Sequence, residues 1–342
     1  MMKVRKLLAD RNRGMMIWWH EKGFTESAHD KLAKDIVVFD WHYGNQRAYP
    51  SLDKLMDLGF SQTWATPAIT RYYRKHANDW YDTFGNIQGF MKAGLKRNIR
   101  GQCTCTWVHG IWGGRNLFEL NYYGLLFSGE CSWNPLSASE EDFRRKFAAH
   151  WFGLKRDDID KQMLHAIHAP YGERKEQKFW RDCRALEPIL GEPPKHTARM
   201  IKDNPGMVDE ARELLAFCDR ANSVLTDWSK SAKRNQRTID FLRHDVHMHR
   251  AAAHRILFID HVLRWKKKGW PPPDGLLRSL RELAGDYDRL EEMYKRSIKE
   301  AGGGECGKST AEGGIRFRLY KGRKEIEKLI ENLKKGKHDE DL

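Results

Sequence analysis

The amino-acid sequence predicts an α/β protein, with successive β/α units over residues 1–152 and an all-α helical domain over residues 153–342. Four short apolar segments recur at intervals of about 20 to 40 residues with helical patterns between them, which is typical of a parallel β/α layer. Each of the four segments ends in Trp and polar residues. Beyond Ser139 no apolar strand pattern recurs, and long amphipathic stretches follow.

The predicted strands all bring their aromatic residues to one end of the sheet. Catalytic and binding groups of parallel β/α barrels lie at the carboxyl ends of the strands, so four Trp in equivalent places indicate a shared binding mouth. Pro50 starts one of the intervening helices and Gly59 ends it. The predicted strands cover 15–19, 36–39, 60–64 and 99–107, and the predicted helices cover 3–12, 27–33, 52–58, 80–96 and 117–127.

The second domain is predicted to contain only helices, separated by stretches rich in Pro and Gly. Its many Lys and Arg lie between apolar positions at helical spacing, which favours a solvated basic surface. The segment 334–342 is charged and is predicted to fray. The predicted helices cover 158–168, 173–186, 208–230, 237–266, 276–300 and 315–333, and a further predicted helix at 140–152 precedes the domain boundary.

The chain has 61 Lys and Arg against 47 Asp and Glu, which gives a formal net charge of +14. This balance permits an anionic partner such as nucleic acid, a membrane surface or an acidic polysaccharide. Because the basic residues fit solvated helix faces, the sequence disfavours nucleic acid as the partner. A basic nucleic-acid-binding helical protein stays as an alternative.

No stretch reaches the roughly 18 apolar residues of a membrane span, so no membrane partner is predicted. The N-terminus also lacks an apolar run of signal-peptide length. As written, the sequence predicts a cytoplasmic chain. A secreted or periplasmic location is expected if a further piece precedes Met1.

The six Cys are scattered, which is not the layout of a small disulfide framework. Cys103 and Cys105 point to the same side of a predicted strand, but no nearby pair completes a four-ligand metal site. His20, His42 and His109 follow three separate strands, and satisfied histidines are the expected outcome. No metal and no organic cofactor is therefore predicted.

Trp19, Trp41, Trp64 and Trp107 form the strongest candidate set for binding. Sugars present apolar C–H faces that stack on indole rings, while their hydroxyl groups need polar partners. Glu21 and Asp40 are the carboxylates next to strand ends, and each could serve as a catalytic acid or as a loop anchor. Each Trp could alternatively fill the core, as Trp often does. Further polar partners at the strand ends are His20, His42 and His109.

At these residues the chain resembles the C-terminal half of the family-20 glycoside hydrolases, the β-N-acetylhexosaminidases. The resemblance covers about residues 1–150 and aligns the four strands with strands 5–8 of a (β/α)8 TIM-type barrel. Trp19-His20-Glu21 stands where the family has Trp-Asp-Glu, and Thr66-Pro67-Ala68 stands where it has Ser-Pro-Ala followed by Tyr. Residues 127–135 are similar to the family's Ala-Glu-x-x-Trp stretch after the barrel.

The resemblance implies hydrolysis of terminal N-acetylhexosamine residues by substrate-assisted catalysis. Trp19, Trp41 and Trp107 would wall the acetamido pocket, and Tyr72 would position the acetamido carbonyl. Trp80 would line the outer sugar face, and Glu21 and His109 would be further substrate contacts. The sequence departs from the family at Arg74 and His109, where the family has Asp and Glu. The general acid belongs to an Asp-Glu pair that is expected upstream of Met1.

The expected activity is therefore that of a glycosidase completed by an N-terminal half, with an amino-sugar glycoside or glycan as its partner. A real half-barrel would leave two strand edges open, and a homo-oligomer could cover them. A non-catalytic carbohydrate-binding protein that kept the Trp walls is the alternative of a different class.

Overall fold

A computed structural model describes residues 2–19, 31–70, 80–106, 118–167, 186–191, 193–266, 274–300 and 317–335. The protein is mostly helical, with a small parallel sheet. The described residues form two compact units. An N-terminal unit extends to Phe143, and a helical unit comprises residues 118–120 and the chain from Arg144 onward. The division thus falls earlier than the boundary at 152/153 proposed from the sequence. The predicted helix at 173–186 lies almost wholly outside the described residues.

The N-terminal unit alternates short strands and helices along the chain. The helix predicted at 52–58 begins two residues earlier, because Pro50 takes the first helical position. The elements from Met2 to Phe147, of which residues 118–120 and 144–147 belong to the helical unit, are α1 (Met2–Ala9), β1 (Met16–Trp19), β2 (Val37–Trp41), α2 (Pro50–Asp57), β3 (Thr63–Thr66), β4 (Ala68–Thr70), α3 (Trp80–Leu95), β5 (Gly101–Gln102), β6 (Cys105–Thr106), a 3-10 turn (Phe118–Asn121), α4 (Tyr122–Trp133) and α5 (Glu140–Phe147).

Four strands form one parallel sheet in the order β1-β2-β3-β5, and β4 pairs with β6 in a second, two-stranded parallel sheet. The strand predicted at 99–107 is split in two because Pro67 separates β3 from β4 on the facing side. Cys103 donates its backbone N–H to Ala65, and Cys105 donates to Pro67. Within the described residues, β1 and β5 are the outer strands of the larger sheet, and no closed barrel is formed.

The side chains of β1 and β2 alternate between two faces of the sheet. Ile17 and Val38 face the hydrophobic core, where they join Leu55 of α2 and Phe60. On the opposite face, Trp18 is 47% exposed.

That opposite face carries a row of aromatic rings across neighbouring strands. The centroid of Trp18 lies 5.4 Å from that of Phe39, which lies 6.2 Å from that of Trp64. In register with Trp64 is Gly101 of β5, where an added Cβ would come within 3.0 Å of the indole ring. The glycine therefore leaves room for Trp64 to lie over the last strand.

The helical unit contains long helices that pack on one another, as predicted. None of the described helices is long and apolar enough to cross a bilayer. A π-helical turn (Ala148–Phe152) ends at Gly153, which adopts the left-handed conformation with φ of 73°. The helices are α6 (Ile159–Ala166), α7 (Leu186–Gly191), α8 (Pro194–Asp203), α9 (Met207–Ser231), α10 (Gln236–Lys266), α11 (Asp274–Glu300) and α12 (Phe317–Lys334).

The end of α7 is held by groups from three other helices. The Leu190 carbonyl oxygen accepts hydrogen bonds from the fully buried Arg255 (3.2 Å) and from the Tyr287 hydroxyl (2.8 Å). On α12, Gly322 lies so close that an added Cβ would stand 1.8 Å from this oxygen. Only a residue without a side chain allows α12 to pack here.

We expect Gly322→Ala to destabilise the protein by about 2 kcal/mol or more, because the new methyl group meets backbone that cannot move aside. The matched control is Gly285→Ala on α11, where nothing lies within 4 Å of the added Cβ. That change should stabilise the protein by about 0.5 to 1 kcal/mol through helix propensity. Urea unfolding of both variants measures the difference, and equal effects of the two changes would contradict the packing.

A buried histidine makes stability depend on pH. His244 on α10 is 1% exposed, and burial, with the neighbouring His247 as a smaller cause, lowers the pKa of its imidazole from 6.5 to about 4. Between these values the unfolded chain binds a proton at His244 and the folded chain does not. The free energy of unfolding therefore decreases as the pH falls from about 6.5 to 4, by about 1.4 kcal/mol per pH unit from this group.

We expect His244→Gln to flatten that part of the pH dependence, since Gln does not take up a proton. Urea unfolding of the wild type and the variant at several values between pH 4 and 8 measures the two slopes. Parallel slopes below pH 6.5 would show that His244 titrates alike in the folded and unfolded chains.

Candidate functional site

Among the predicted binding residues, Trp41 is the one that the described structure places half-buried at the carboxyl end of a strand. It ends β2, and its backbone is in register with Thr66 at the end of β3. Its ring lies against Tyr43, with 5.0 Å between the centroids and an angle of 49° between the planes. The pair therefore presents aromatic surface at the edge of the sheet where binding groups were predicted.

A buried polar cluster lies directly beside Trp41. Asp40 is 1% exposed, and its carboxylate accepts a hydrogen bond of 2.7 Å from the hydroxyl of Ser51 in the first turn of α2. The Nε2 atom of His42 lies 3.1 Å from the other carboxylate oxygen and 2.6 Å from the same hydroxyl. The two partners offset the desolvation of the carboxylate.

This cluster contains Asp, His and Ser, but its hydrogen bonds are not arranged as in a catalytic triad. A triad uses one imidazole nitrogen toward the carboxylate and the other toward the hydroxyl, whereas here Nε2 faces both. The Ser51 hydroxyl already donates its proton to Asp40. The Gln46 amide lies 3.3 Å from Nδ1 of His42, which fits a neutral imidazole protonated at Nε2. The cluster anchors the end of β2, and Asp40 is not placed to protonate a leaving group.

One buried side-chain amide, that of Asn86, holds the loop after β2 through hydrogen bonds to its backbone. Asn86 of α3 is fully buried, and its Nδ2 donates to the backbone carbonyls of His42 (3.0 Å) and Gly44 (2.9 Å). Its Oδ1 accepts from the backbone N–H of Ala68 in β4. This amide ties the loop that follows Trp41 and contains Tyr43 to β4 and α3. Sequence reasoning missed Asn86, because a single Asn inside an amphipathic helix gives no signal.

Further polar side chains gather at the ends of β3 and β5. The Gln102 amide donates to the hydroxyls of Thr104 and Ser128, and these two hydroxyls also contact each other. The amide oxygen Oε1 of Gln102 is buried and has no hydrogen-bond partner among the described residues. The same holds for the buried hydroxyl of Thr66. Buried polar atoms normally have partners, so this strand edge has hydrogen-bonding capacity that the described side chains do not fill.

Two of the predicted binding residues lie in hydrophobic cores instead. Trp19 is 1% exposed and packs with Phe60, with 6.0 Å between centroids, so its ring has no free face for a sugar. Trp80 is 4% exposed at the start of α3 and meets the ring of Tyr123 edge to face at 4.9 Å. The predicted ligand contacts of both residues are not supported. β1 turns Trp18 rather than Trp19 to the open face, and Trp80 is buried against Tyr123.

Trp64, the remaining described Trp of the predicted set, lies inside β3 against Phe39 and not at the strand end. The remaining predicted site residues lie outside the described residues. They are Tyr72, the predicted acetamido-positioning residue, and the predicted substrate contacts Glu21, Trp107 and His109, together with His20 and Arg74. In the described part of the chain, no three His, Cys, Asp or Glu side chains lie together as a metal ion would require. Burial also raises the pKa of the Cys131 thiol to about 12, so this thiol is protonated near neutral pH.

We expect Ser51→Ala to lower the free energy of unfolding by about 1 to 3 kcal/mol, because the buried carboxylate of Asp40 loses a donor. Ser279→Ala on α11 is the control, since its hydroxyl donates to the Gly275 carbonyl at an exposed position, and its effect should stay within about 0.5 kcal/mol. Chemical unfolding at pH 7 measures both. If Ser51→Ala left the free energy of unfolding unchanged, burial of the Asp40 carboxylate would not depend on this hydroxyl.

No protein-family model matches this chain, and no curated protein matches it. Among solved structures, the chain is similar to a GH138 enzyme described as targeting pectin rhamnogalacturonan II. The two share 12% sequence identity with a TM-score of 0.43, and the similarity covers 96% of this chain and 57% of the enzyme. This chain thus spans little more than half of that enzyme's length. At this identity and TM-score, the likeness assigns neither a family nor an activity.

Proposed function

We propose that this chain is glycoside hydrolase-like and that its N-terminal unit binds the terminal N-acetylhexosamine of a glycan. The observation that carries the proposal is the position of Trp41, half-buried at the carboxyl end of a parallel strand with Tyr43 against it. Indole and phenol rings offer the apolar surface on which the C–H face of a sugar stacks. The polar side chains at the ends of β3 and β5 lie at the same edge, as sugar hydroxyl groups require.

The proposed chemistry is hydrolysis of the terminal sugar by substrate-assisted catalysis. In this mechanism the 2-acetamido oxygen of the substrate attacks the anomeric carbon, so the protein supplies a general acid and a positioned pocket. The resemblance to family-20 enzymes assigns the positioning of the acetamido group to Tyr72 and further contacts to Glu21, Trp107 and His109. In that family the general acid is the Glu of an Asp-Glu pair. Neither metal nor organic cofactor takes part in the proposed reaction.

Non-catalytic carbohydrate binding is the second candidate function, and the state of Asp40 favours it. Glu21 and Asp40 were the carboxylates that the sequence offered next to strand ends. Asp40 is buried and held by Ser51 and His42, so it is not available to a leaving group. An aromatic platform beside a carboxylate buried in this way would bind a sugar without cleaving it.

Binding and turnover should be measured separately on the full 342-residue chain. We expect calorimetric titration with N-acetylglucosamine or N-acetylgalactosamine to show saturable binding. Trp41→Ala should weaken it by about tenfold or more, since losing roughly 1.4 kcal/mol of stacking lowers the affinity tenfold. Trp133→Ala is the matched control, because this Trp is 92% exposed at the end of α4, and it should bind as the wild type does.

Release of nitrophenol from a nitrophenyl N-acetylhexosaminide then decides between the two functions. Binding with turnover supports a glycosidase, and binding without turnover supports a carbohydrate-binding protein. Absence of saturable binding, or equal losses in both Trp variants, would reject the site. Binding to DNA that weakens steeply with salt would favour the nucleic-acid alternative instead.

A further inference from the structure

A pocket of about 360 Å³ opens between α9, α10 and α11 of the helical unit. Its volume is in the range of sites that hold a small organic molecule. Four arginines line it, against two carboxylates, Asp240 and Glu292. With His247 neutral, the lining therefore has an excess of two positive charges. The arginines are Arg237, Arg243, Arg289 and Arg296.

Two of the four arginines have a carboxylate partner. Arg296 lies 3.5 Å from Asp240, and Arg237 lies 3.1 Å from Glu119 in the 3-10 turn. These pairs are partly exposed, so each contributes little to stability. The first pair occupies Asp240, one of the two carboxylates that line the pocket. Arg243 and Arg289 then face the pocket together with the other carboxylate, Glu292.

Arg243 is the best-placed donor in the pocket. One of its terminal nitrogens donates to the Thr226 hydroxyl at 2.8 Å, which fixes the guanidinium against α9. Its Nε atom is buried and has no hydrogen-bond partner among the described residues. A guanidinium with an unfilled donor is suited to an oxyanion, which accepts two parallel N–H bonds from such a group.

We propose that this pocket binds the phosphate or carboxylate group of a sugar-sized molecule, with Arg243 and Arg289 as the principal donors. One wall is apolar and supports the body of such a ligand. Phe241 is buried, and the guanidinium carbon of Arg237 lies 5.2 Å above its ring. The combination of an aromatic wall with clustered guanidinium groups fits an acidic saccharide or a sugar phosphate better than an inorganic ion alone.

His247 lies in the same pocket and provides a local reporter. Its pKa is lowered first by burial and then by the charges of Arg289, Arg250 and Arg243, while Asp286 acts in the opposite direction. A bound anion would offset the positive charges and raise the pKa of His247. This change can be followed by nuclear magnetic resonance, with the imidazole signal assigned through His247→Gln.

The test is calorimetric titration of the full chain with inorganic phosphate, glucuronate and glucose at low ionic strength. We expect saturable binding of at least one of the two anions, no binding of glucose at the same concentrations, and a raised pKa of His247 on saturation. Phosphate binding alone would assign the site to phosphate groups, and glucuronate binding alone would assign it to carboxylates.

Arg243→Gln and Arg289→Gln should each weaken anion binding by about tenfold or more, since each change removes charge-assisted hydrogen bonds to the anion. Arg289 is exposed, so its variant tests the pocket even if Arg243→Gln unfolds. Arg212→Gln is the control, because Arg212 lies on α9 and pairs with Asp209 at the surface. Absence of saturable anion binding, or equal losses in the control, would overturn the proposal.

Discussion

Parallel pairing of four short strands decides which side chains of the N-terminal unit meet. The register aligns Trp18, Phe39, Trp64 and Gly101 across the sheet and sends their neighbours to the opposite face. Because successive side chains in a strand alternate, one residue of displacement would exchange the two sets. The core on one face and the aromatic row on the other therefore have a single common cause. The strand ends, and with them Trp41, are placed by the same pairing.

Buried polar groups then give this edge of the sheet its shape. The carboxylate of Asp40 fastens β2 to the start of α2, and Asn86 fastens the following loop to α3 and β4. Both groups are inaccessible, and both make several hydrogen bonds. Asp40, which the sequence offers as a catalytic acid or a loop anchor, is thus held as an anchor beside the aromatic pair Trp41 and Tyr43.

The order of strands and helices could be predicted from periodicity, but the faces of the strands could not. Met16–Trp19 is apolar throughout, so nothing in its pattern distinguishes Trp18 from Trp19, and only pairing with β2 decides. Trp80 begins a helix, where a ring can turn either to a ligand or to Tyr123. In the helical unit, the pocket lined by four arginines joins residues on three successive helices. Spacing along the chain carries no information about such a meeting.

Gly322 has a further use in the search for relatives of this chain. Its place is set by a backbone carbonyl group, so the need for glycine at this position does not depend on the identity of the surrounding side chains. A glycine in the middle of a late helix, matched to a buried Arg and Tyr on two earlier ones, would serve as a fingerprint for distant homologues of this unit. Such a three-point signature could recover relatives that alignment of the remaining helix surfaces, rich in interchangeable Lys and Arg, would overlook.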